Sequence, residues 1–254
     1  MIDLIVFSVS ENRYAINIEN VQRIIQAQEL TNIPNAHSYI DGMMSYEDKV
    51  IKVVNFRKLI GIESYHEELS KLFAKLKGGH QEWIDDLRHS VENGVPFTKT
   101  IDPHACELGL WLDKFNSYDD KVSQTLKDLM QNHKQLHSSG GDALDLMNDN
   151  PSAASEMVNT TIYDTFKHTM SDIDTFIAEL DTVANSLQKL IIYDNDGVVF
   201  SIKVDKIEDI AHIQESEFIN AGDDHDTNDF LELEGVLDLQ GVLINVIKTV
   251  VLPK

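Results

Sequence analysis

The chain has 254 residues, of which 42% are apolar, so it can form one large domain or two to three small ones. Its 43 acidic and 21 basic residues give a formal charge of −22, which repels phosphate backbones and anionic membrane surfaces. We therefore expect no nucleic-acid partner. No apolar run approaches the length that spans a bilayer, and the first residues lack a leader pattern. We expect a soluble, cytoplasmic protein without direct membrane insertion.

The first 65 residues read as short strands in which apolar and polar side chains alternate, with Asn12 and Arg13 as a predicted turn. A similar pattern returns after residue 187. Leu4 corresponds to Leu190, an offset of 186 residues, and Val50 corresponds to Leu243, an offset of 193 residues. Because each hairpin keeps its internal spacing, the pattern favours two similar β-subdomains over unrelated hairpins.

Between these two stretches the apolar period changes from two to about 3.6 residues, which indicates helices. One helical face begins at Leu69, a second at Val122, and a third follows Pro151, which suits the first turn of a helix. Glycine pairs at 78–79 and 140–141 weaken two of these helices. Each pair either permits close helix approach or marks a helix end.

The candidate metal ligands surround the single cysteine, Cys106, which has no second thiol with which to form an internal disulfide. His133 and His137 are four residues apart and share one helical face, and His80 lies on an earlier helical segment. If these segments fold as helices, the three imidazoles can converge on the sulfur as a closed zinc site. His104, two residues before Cys106, is the rival ligand.

The pair His133 and His137 also has the spacing found in zinc peptidases. Those enzymes place a glutamate directly after the first histidine as the general base, whereas this chain has Lys134. A cation cannot take a proton from zinc-bound water. The sequence shows no phosphate-binding glycine loop, so we expect no enzyme; a zinc-dependent hydrolase is the least favoured alternative.

Three motifs occur in order along the middle of the chain: His80 with Trp83, Cys106 through Trp111 as Cys-x-Leu-Gly-x-Trp, and His133 with His137. This set resembles the chemoreceptor zinc-binding family. The resemblance implies a four-helix bundle over residues 66–187 that binds Zn²⁺ through His80, Cys106, His133 and His137. Oxidation of a zinc-bound thiolate weakens it as a ligand, so the site is either a sensor of zinc or oxidants or a purely structural staple.

The flanking stretches carry a second set of motifs: Ile33 and Pro34, Tyr39 to Gly42, Val50 to Arg57, and Val204 to Ile207. These residues resemble the CheW-type coupling proteins of bacterial chemotaxis. The resemblance implies an α+β chain in which a discontinuous pair of small β-barrels is interrupted by the inserted bundle. The first part of this domain is residues 1–65 and the second is residues 188–254.

The same resemblance implies an adaptor that couples the cytoplasmic tips of chemoreceptors to a CheA-type histidine kinase. Asn55, Phe56 and Arg57 resemble the family's Asn-Leu-Arg signature, which lies near the surfaces used for receptor and kinase contact, and we predict that they bind a partner. Arg57 can alternatively pair with a local carboxylate. The acidic run at 223–226 is predicted to be a solvated loop.

Overall fold

The computed structural model describes residues 1–214, 217–220 and 230–252. The acidic run at 223–226 lies outside the described residues. The chain divides into two compact units. One, which we call the β unit, consists of Met1–Tyr65 and Ala184–Lys254, and the other, the helical unit, is His66–Val183. The segment boundaries predicted from the sequence, at 65/66 and 187/188, stay predictions.

Strands of the β unit form two sheets. Their bounds are β1 (Ile2–Val9), β2 (Asn12–Asn17), β3 (Val21–Gln26), β4 (Ile40–Tyr46), β5 (Lys49–Asn55), β6 (Lys189–Asn195), β7 (Val198–Val204), β8 (Lys206–Ile213), β9 (Phe218–Asn220), β10 (Leu231–Leu239) and β11 (Val242–Val250). The six-stranded sheet has the order β8-β1-β2-β11-β10-β9, and the five-stranded sheet has the order β3-β6-β7-β5-β4. The α+β class is confirmed, and within the described residues both sheets are open rather than closed barrels.

The duplication predicted from the sequence is present in the strand pairing. Hairpin β1–β2 corresponds to hairpin β6–β7, and each binds a strand of the opposite half in parallel: β2 pairs with β11 and β7 with β5. Strands β3 and β8 also cross, because β3 pairs with β6 and β8 pairs with β1. Each sheet therefore takes strands from both halves of the sequence, which requires the two halves to fold together.

The largest core of the β unit lies between the two sheets. The central hairpins contribute Phe7 and Tyr14 from one sheet and Tyr193 and Phe200 from the other, all buried. Phe56, directly after β5, packs edge-on against Phe7 with ring centroids 5.4 Å apart. Smaller buried clusters cover the opposite faces of both sheets. Burial on both faces explains why β1 and β6 read as nearly continuous apolar runs.

The first hairpin turns at Ser10 and Glu11, so the predicted turn at Asn12 and Arg13 is wrong: both residues begin β2. Ser10 takes a φ of 54°, a left-handed conformation that the alternation pattern does not signal. The corresponding turn of the second hairpin has Gly197 at a φ of 88°, where glycine is favoured.

The helices are α1 (Phe56–Leu59), α2 (Tyr65–Asn93), α3 (Glu107–Leu112), α4 (Asp120–Asp149), α5 (Pro151–Met157), α6 (Tyr163–Ala178) and α7 (Leu180–Leu187), and the short turns are a 3-10 turn at Ile18–Asn20 and a π-helical turn at Val158–Ile162. Helix α5 continues through the π turn into α6. Pro151 occupies the first turn as predicted, and the Asn150 side chain caps it. Buried apolar side chains of α2, α4 and the α5–α6 segment form the core of the helical unit.

Candidate metal centre

Four side chains of the helical unit place their ligand atoms within 4.8 Å of one another: His80, Cys106, His133 and His137. His80 lies on α2, Cys106 directly precedes α3, and both other histidines lie on α4. The three imidazoles are buried and Cys106 is half-buried. The structure thus brings together all four residues that the sequence proposed as ligands.

Helix geometry and hydrogen bonds aim the imidazoles. His133 and His137 sit one turn apart on α4, with ring centroids separated by 4.7 Å. His80 Nδ1 lies 2.9 Å from the Leu76 carbonyl oxygen, which can only accept, so this nitrogen carries the proton. The lone pair of His80 is therefore on Nε2, which faces the cluster. Fixing a ligand histidine through its other nitrogen is the usual arrangement around metals.

The spacing of three ligand atoms matches a tetrahedral zinc ion. With Zn–N near 2.0–2.1 Å and Zn–S near 2.3 Å, tetrahedral angles place two nitrogens about 3.3 Å apart and nitrogen and sulfur about 3.6 Å apart. The His80 and His133 Nε2 atoms are 3.1 Å apart. The Cys106 Sγ atom lies 3.1 Å from His133 Nε2 and 4.0 Å from His80 Nε2. One distance is shorter and the other longer than the nitrogen–sulfur distance expected around zinc.

Cys106 is the N-cap of α3, and its Sγ accepts a hydrogen bond from the Gly109 N–H at 3.3 Å. A side chain at position 109 is excluded, because a Cβ there would lie 1.7 Å from the Pro103 carbonyl oxygen. Burial raises the pKa of the Cys106 thiol, and the N–H groups of Gly109 and Leu108 oppose that shift. Burial thus disfavours the thiolate of Cys106, and a bound metal ion would stabilise it.

Burial lowers the pKa of all three cluster histidines. The pKa of His133 falls to about 3, and that of His137 to about 4, with the neighbouring imidazoles adding to the effect of burial in both. The pKa of His80 is also lowered by burial, although its bond to the Leu76 carbonyl partly opposes the shift. All three rings are neutral at pH 7, which is the form that binds zinc.

His137 gives the clearest sign that the cluster fits a metal. Among the described residues, no hydrogen bond of good geometry reaches either of its buried ring nitrogens. The Thr100 carbonyl is near enough to raise the pKa of this ring slightly without completing such a bond. Leaving a buried polar group unpaired costs about 1–3 kcal/mol, so the ring suits a position where one nitrogen binds an ion.

The rival ligand His104 is not part of this cluster. Its ring is exposed, and its Nδ1 lies 3.0 Å from the Asp113 carboxylate on the outside of the helical unit. His104 precedes Cys106 by only two residues, but the sulfur points toward α2 and α4, where His80 and His133 lie. Sequence proximity alone could not distinguish these two directions.

The three residues predicted to bind a partner are buried in the β unit. Phe56 belongs to the main core, and the Asn55 side chain donates to Asp41 and caps α1. Arg57, only 2% exposed, makes a paired contact with Asp205, with Nε and Nη2 at 2.8 and 2.7 Å from the two carboxylate oxygens. Partner binding by these residues stays a prediction, and any effect of changing them would include loss of these internal contacts.

Sequence reasoning missed Asp205 as the partner of Arg57. Its carboxylate also accepts from the Gln188 side chain at 3.1 Å and from the Ser10 N–H at 2.8 Å. The Arg57 guanidinium additionally lies over the Tyr65 ring, 4.5 Å from its centroid. One carboxylate thus joins the turn of β1–β2, helix α1 and the residue that follows α7.

In the part of the chain that the structure describes, no helix is both long enough and apolar enough to cross a membrane.

Comparison with known proteins finds two family models that match parts of the chain. Residues 3–78 match the family model of the CheW-like domain, and residues 80–144 match that of the chemoreceptor zinc-binding domain. The second match contains all four residues of the cluster.

Two curated relatives are chemotaxis proteins CheW. The protein from Thermotoga maritima is 26% identical over 69 residues, which are 27% of this chain and 45% of the relative. The protein from Treponema pallidum is 31% identical over 55 residues, which are 22% of this chain and 32% of the relative. The chain thus spans less than half the length of the curated relatives it matches.

A similar solved structure is the scaffolding protein TtCheW from Thermoanaerobacter tengcongensis, with 12% sequence identity and a TM-score of 0.46 over 97% of this chain and 88% of that one. The metal implied by the second family model is zinc, and the three buried imidazoles and the half-buried thiol of the cluster are donors that fit it. The chain combines a CheW-like domain with a chemoreceptor zinc-binding domain.

Proposed function

We propose that the chain is a cytoplasmic chemotaxis adaptor whose β unit couples the tips of chemoreceptors to a CheA-type histidine kinase, and whose helical unit adjusts that coupling according to the state of a zinc site. The observation that carries the proposal is the buried cluster of His80, Cys106, His133 and His137 in a chain with a CheW-like domain. The relatives named CheW support the adaptor role, and the match to the chemoreceptor zinc-binding domain supports the metal.

The ligand set that we propose is His80, Cys106, His133 and His137. Bound there, zinc would stabilise the Cys106 thiolate and hold three segments of the helical unit together. Because all four ligands come from protein, no position is left for a substrate water, which is the mark of a structural or responsive site rather than a catalytic one. Lys134 beside His133 cannot act as a base. We therefore propose a protein that is not an enzyme.

The responsive element in this proposal is the Cys106 thiolate. A peroxide can oxidise it to sulfenic acid, in which the sulfur gains one oxygen atom and loses two electrons while the peroxide is reduced. A sulfenic acid is a poorer zinc ligand than a thiolate, so the ion would be released. Helices α2, α3 and α4 would then no longer be linked through a common metal ion. The alternative role is a zinc ion that only staples these segments, which the burial of the cluster also favours.

One experiment distinguishes the two roles. Receptor arrays reconstituted with kinase and the full-length adaptor should show different kinase activity for zinc-loaded and chelated protein. Peroxide should reproduce the effect of chelation in the wild type but cause no further change in Cys106→Ala. Equal kinase activity in both metal states, with zinc loss verified by metal analysis, would support the staple role and exclude the sensor.

A second experiment tests the proposed insertion. If residues 66–187 are an insertion into the CheW-like domain, replacing them by a short flexible linker should preserve binding to kinase and receptor tips, because the proposed contact surfaces lie on the β unit. The replaced chain should at the same time lose all zinc binding. Loss of kinase and receptor binding in a variant whose β unit is folded, as measured by circular dichroism, would contradict this assignment.

A further inference from the structure

Trp83 lies on one of the three segments that carry the cluster residues, and its indole contacts the other two. Trp83 lies on α2, three residues after His80, and is only 3% exposed. Its ring packs against the His137 ring of α4, with centroids 4.9 Å apart. Its Nε1–H donates to the Thr100 carbonyl at 2.8 Å, in the irregular segment that leads to Cys106. One side chain therefore connects α2, α4 and the segment before α3.

Gly140 permits this arrangement. It lies on α4 three residues after His137, and it is buried. A Cβ at this position would lie 2.4 Å from Cη2 and 2.9 Å from Cζ2 of Trp83. The backbone of α4 thus approaches the indole more closely than any residue with a side chain would allow. The neighbouring Gly141 is different, because a Cβ there would make only an ordinary contact of 3.5 Å with Ile101.

The contacts of Trp83 lie next to the ligands and can therefore determine how the ligands are oriented. Trp83 and His80 share one face of α2, and Gly140 and His137 share one face of α4, so the spacing of the two helices beside the cluster is set by the indole against the glycine. The bond to Thr100 fixes the start of the segment that carries Cys106. Zinc binds histidine nitrogen and cysteine sulfur at roughly 2.0–2.3 Å. A small change in the distance between α2 and α4 would therefore move some ligand atoms out of bonding range.

We propose that Trp83 and Gly140 are positioning residues for the zinc site, which set the distance between α2 and α4 and anchor the segment before Cys106 so that the four ligands converge. The proposal rests on the ligand set given under the proposed function. Outer residues that orient metal ligands typically contribute about 10–100-fold in metal affinity, and we expect effects in that range.

The first test compares two alanine substitutions in the same helix. Gly140→Ala should weaken zinc binding by about 10–100-fold, because its Cβ displaces the indole. Gly141→Ala gains the same helix propensity but meets no crowded neighbour, so its affinity should stay within about twofold of the wild type. The measurement is zinc titration of the full-length protein in competition with a chromophoric chelator.

The second test compares the two tryptophans. Trp83→Phe removes the N–H bond to Thr100 and should weaken zinc binding by about tenfold. Trp111→Phe is the control, since Trp111 packs on the aromatic rings of Phe73, Phe115 and Phe176 and not on a ligand ring. The double variant Trp83→Phe/Gly140→Ala lacks the indole atoms that meet the new Cβ. Adding Gly140→Ala to Trp83→Phe should therefore cost much less than adding it to the wild type.

A purely structural role of these residues predicts a different result. It would change the urea unfolding of the zinc-free protein but leave zinc affinity and ligand geometry intact in the folded state. Absorption spectra of the Co²⁺-loaded variants report that geometry, because Co²⁺ occupies tetrahedral nitrogen and sulfur sites. We expect altered spectra for Gly140→Ala and Trp83→Phe, and unchanged spectra for Gly141→Ala and Trp111→Phe.

The proposal is overturned if Gly140→Ala and Trp83→Phe both bind zinc as the wild type does, with unchanged Co²⁺ spectra. That outcome is distinct from failure of the proposed ligand set, which would show as weak zinc binding by the wild type, or as wild-type affinity in Cys106→Ala.

Discussion

Acid should destabilise the zinc-free helical unit far more than exposed histidines would. Burial holds the pKa of His133 at about 3 and that of His137 at about 4, against 6.5 in the unfolded chain. At a pH between the folded and the unfolded pKa of these histidines, the unfolded chain binds a proton at each of them and the folded unit does not. Because the unfolded state binds more protons, the free energy of unfolding falls as the pH falls below 6.5.

The size of the effect follows from the width of the pH interval. At pH 5.5, one unit below the unfolded pKa, each buried histidine lowers the free energy of unfolding by about 1.4 kcal/mol relative to pH 7.5. His133 and His137 together give about 3 kcal/mol. His80 acts in the same direction, since burial also lowers its pKa. A loss of this size is a large part of the roughly 5–15 kcal/mol that stabilises a typical domain.

Tryptophan fluorescence isolates this unit, because the chain has two tryptophans and both Trp83 and Trp111 lie in it. Urea unfolding with a chelator present, at pH 7.5 and pH 5.5, measures the difference. The exposed control His168→Gln should keep the full pH dependence, whereas His133→Gln combined with His137→Gln should lose most of it. Equal unfolding free energies at both pH values in the wild type would refute the reasoning.

Three further outcomes are expected. Cys106→Ala should lower zinc affinity strongly while His104→Ala changes it little, measured by chelator competition; the reverse order would contradict the ligand set. Zinc at 1,000 times its Kd should raise the unfolding free energy of the helical unit by about 4 kcal/mol, and no shift in the fluorescence-detected midpoint would exclude coupling of metal and fold. Arg57→Met should destabilise the β unit by about 3 kcal/mol, because the partly buried Asp205 carboxylate loses its cation. Lys206→Ala, at an exposed ion pair, should change the unfolding free energy little; circular dichroism measures both.

The helical unit could largely be predicted from the sequence because its information is local. Helical spacing places His133 beside His137, and Pro151 after Asn150 marks a helix start, whatever the rest of the chain does. Convergence of His80 and Cys106 on that pair required a family resemblance in addition, since periodicity gives the faces of helices but not their partners. The glycine pairs illustrate the limit: Gly140 meets the Trp83 indole, while Gly78 faces open space.

The pairing of the β strands could not be predicted, since alternation shows which side chains share a face and not which strand lies beside which. The sequence suggested two similar β-subdomains, and the structure shows two sheets that exchange β3 and β8 and that each accept strands from the opposite half. The partner of Arg57 was equally undetermined. With 43 acidic residues in the chain, a buried arginine has many possible partners, and the one it takes lies 148 positions away.

That partner, Asp205, connects residues on either side of the helical unit in the sequence. Arg57 precedes the start of α2, and Gln188 follows the end of α7, so both residues belong to the β unit and lie close in sequence to its two boundaries with the helical unit. Both donate to the same Asp205 carboxylate, Arg57 at 2.7–2.8 Å and Gln188 at 3.1 Å. A partly buried carboxylate is favourable at such a position because these donors replace the water that it loses. The β unit therefore joins both ends of the intervening segment by its own contacts, and we expect its strand pairing to survive removal of zinc from the full-length protein, as circular dichroism can measure.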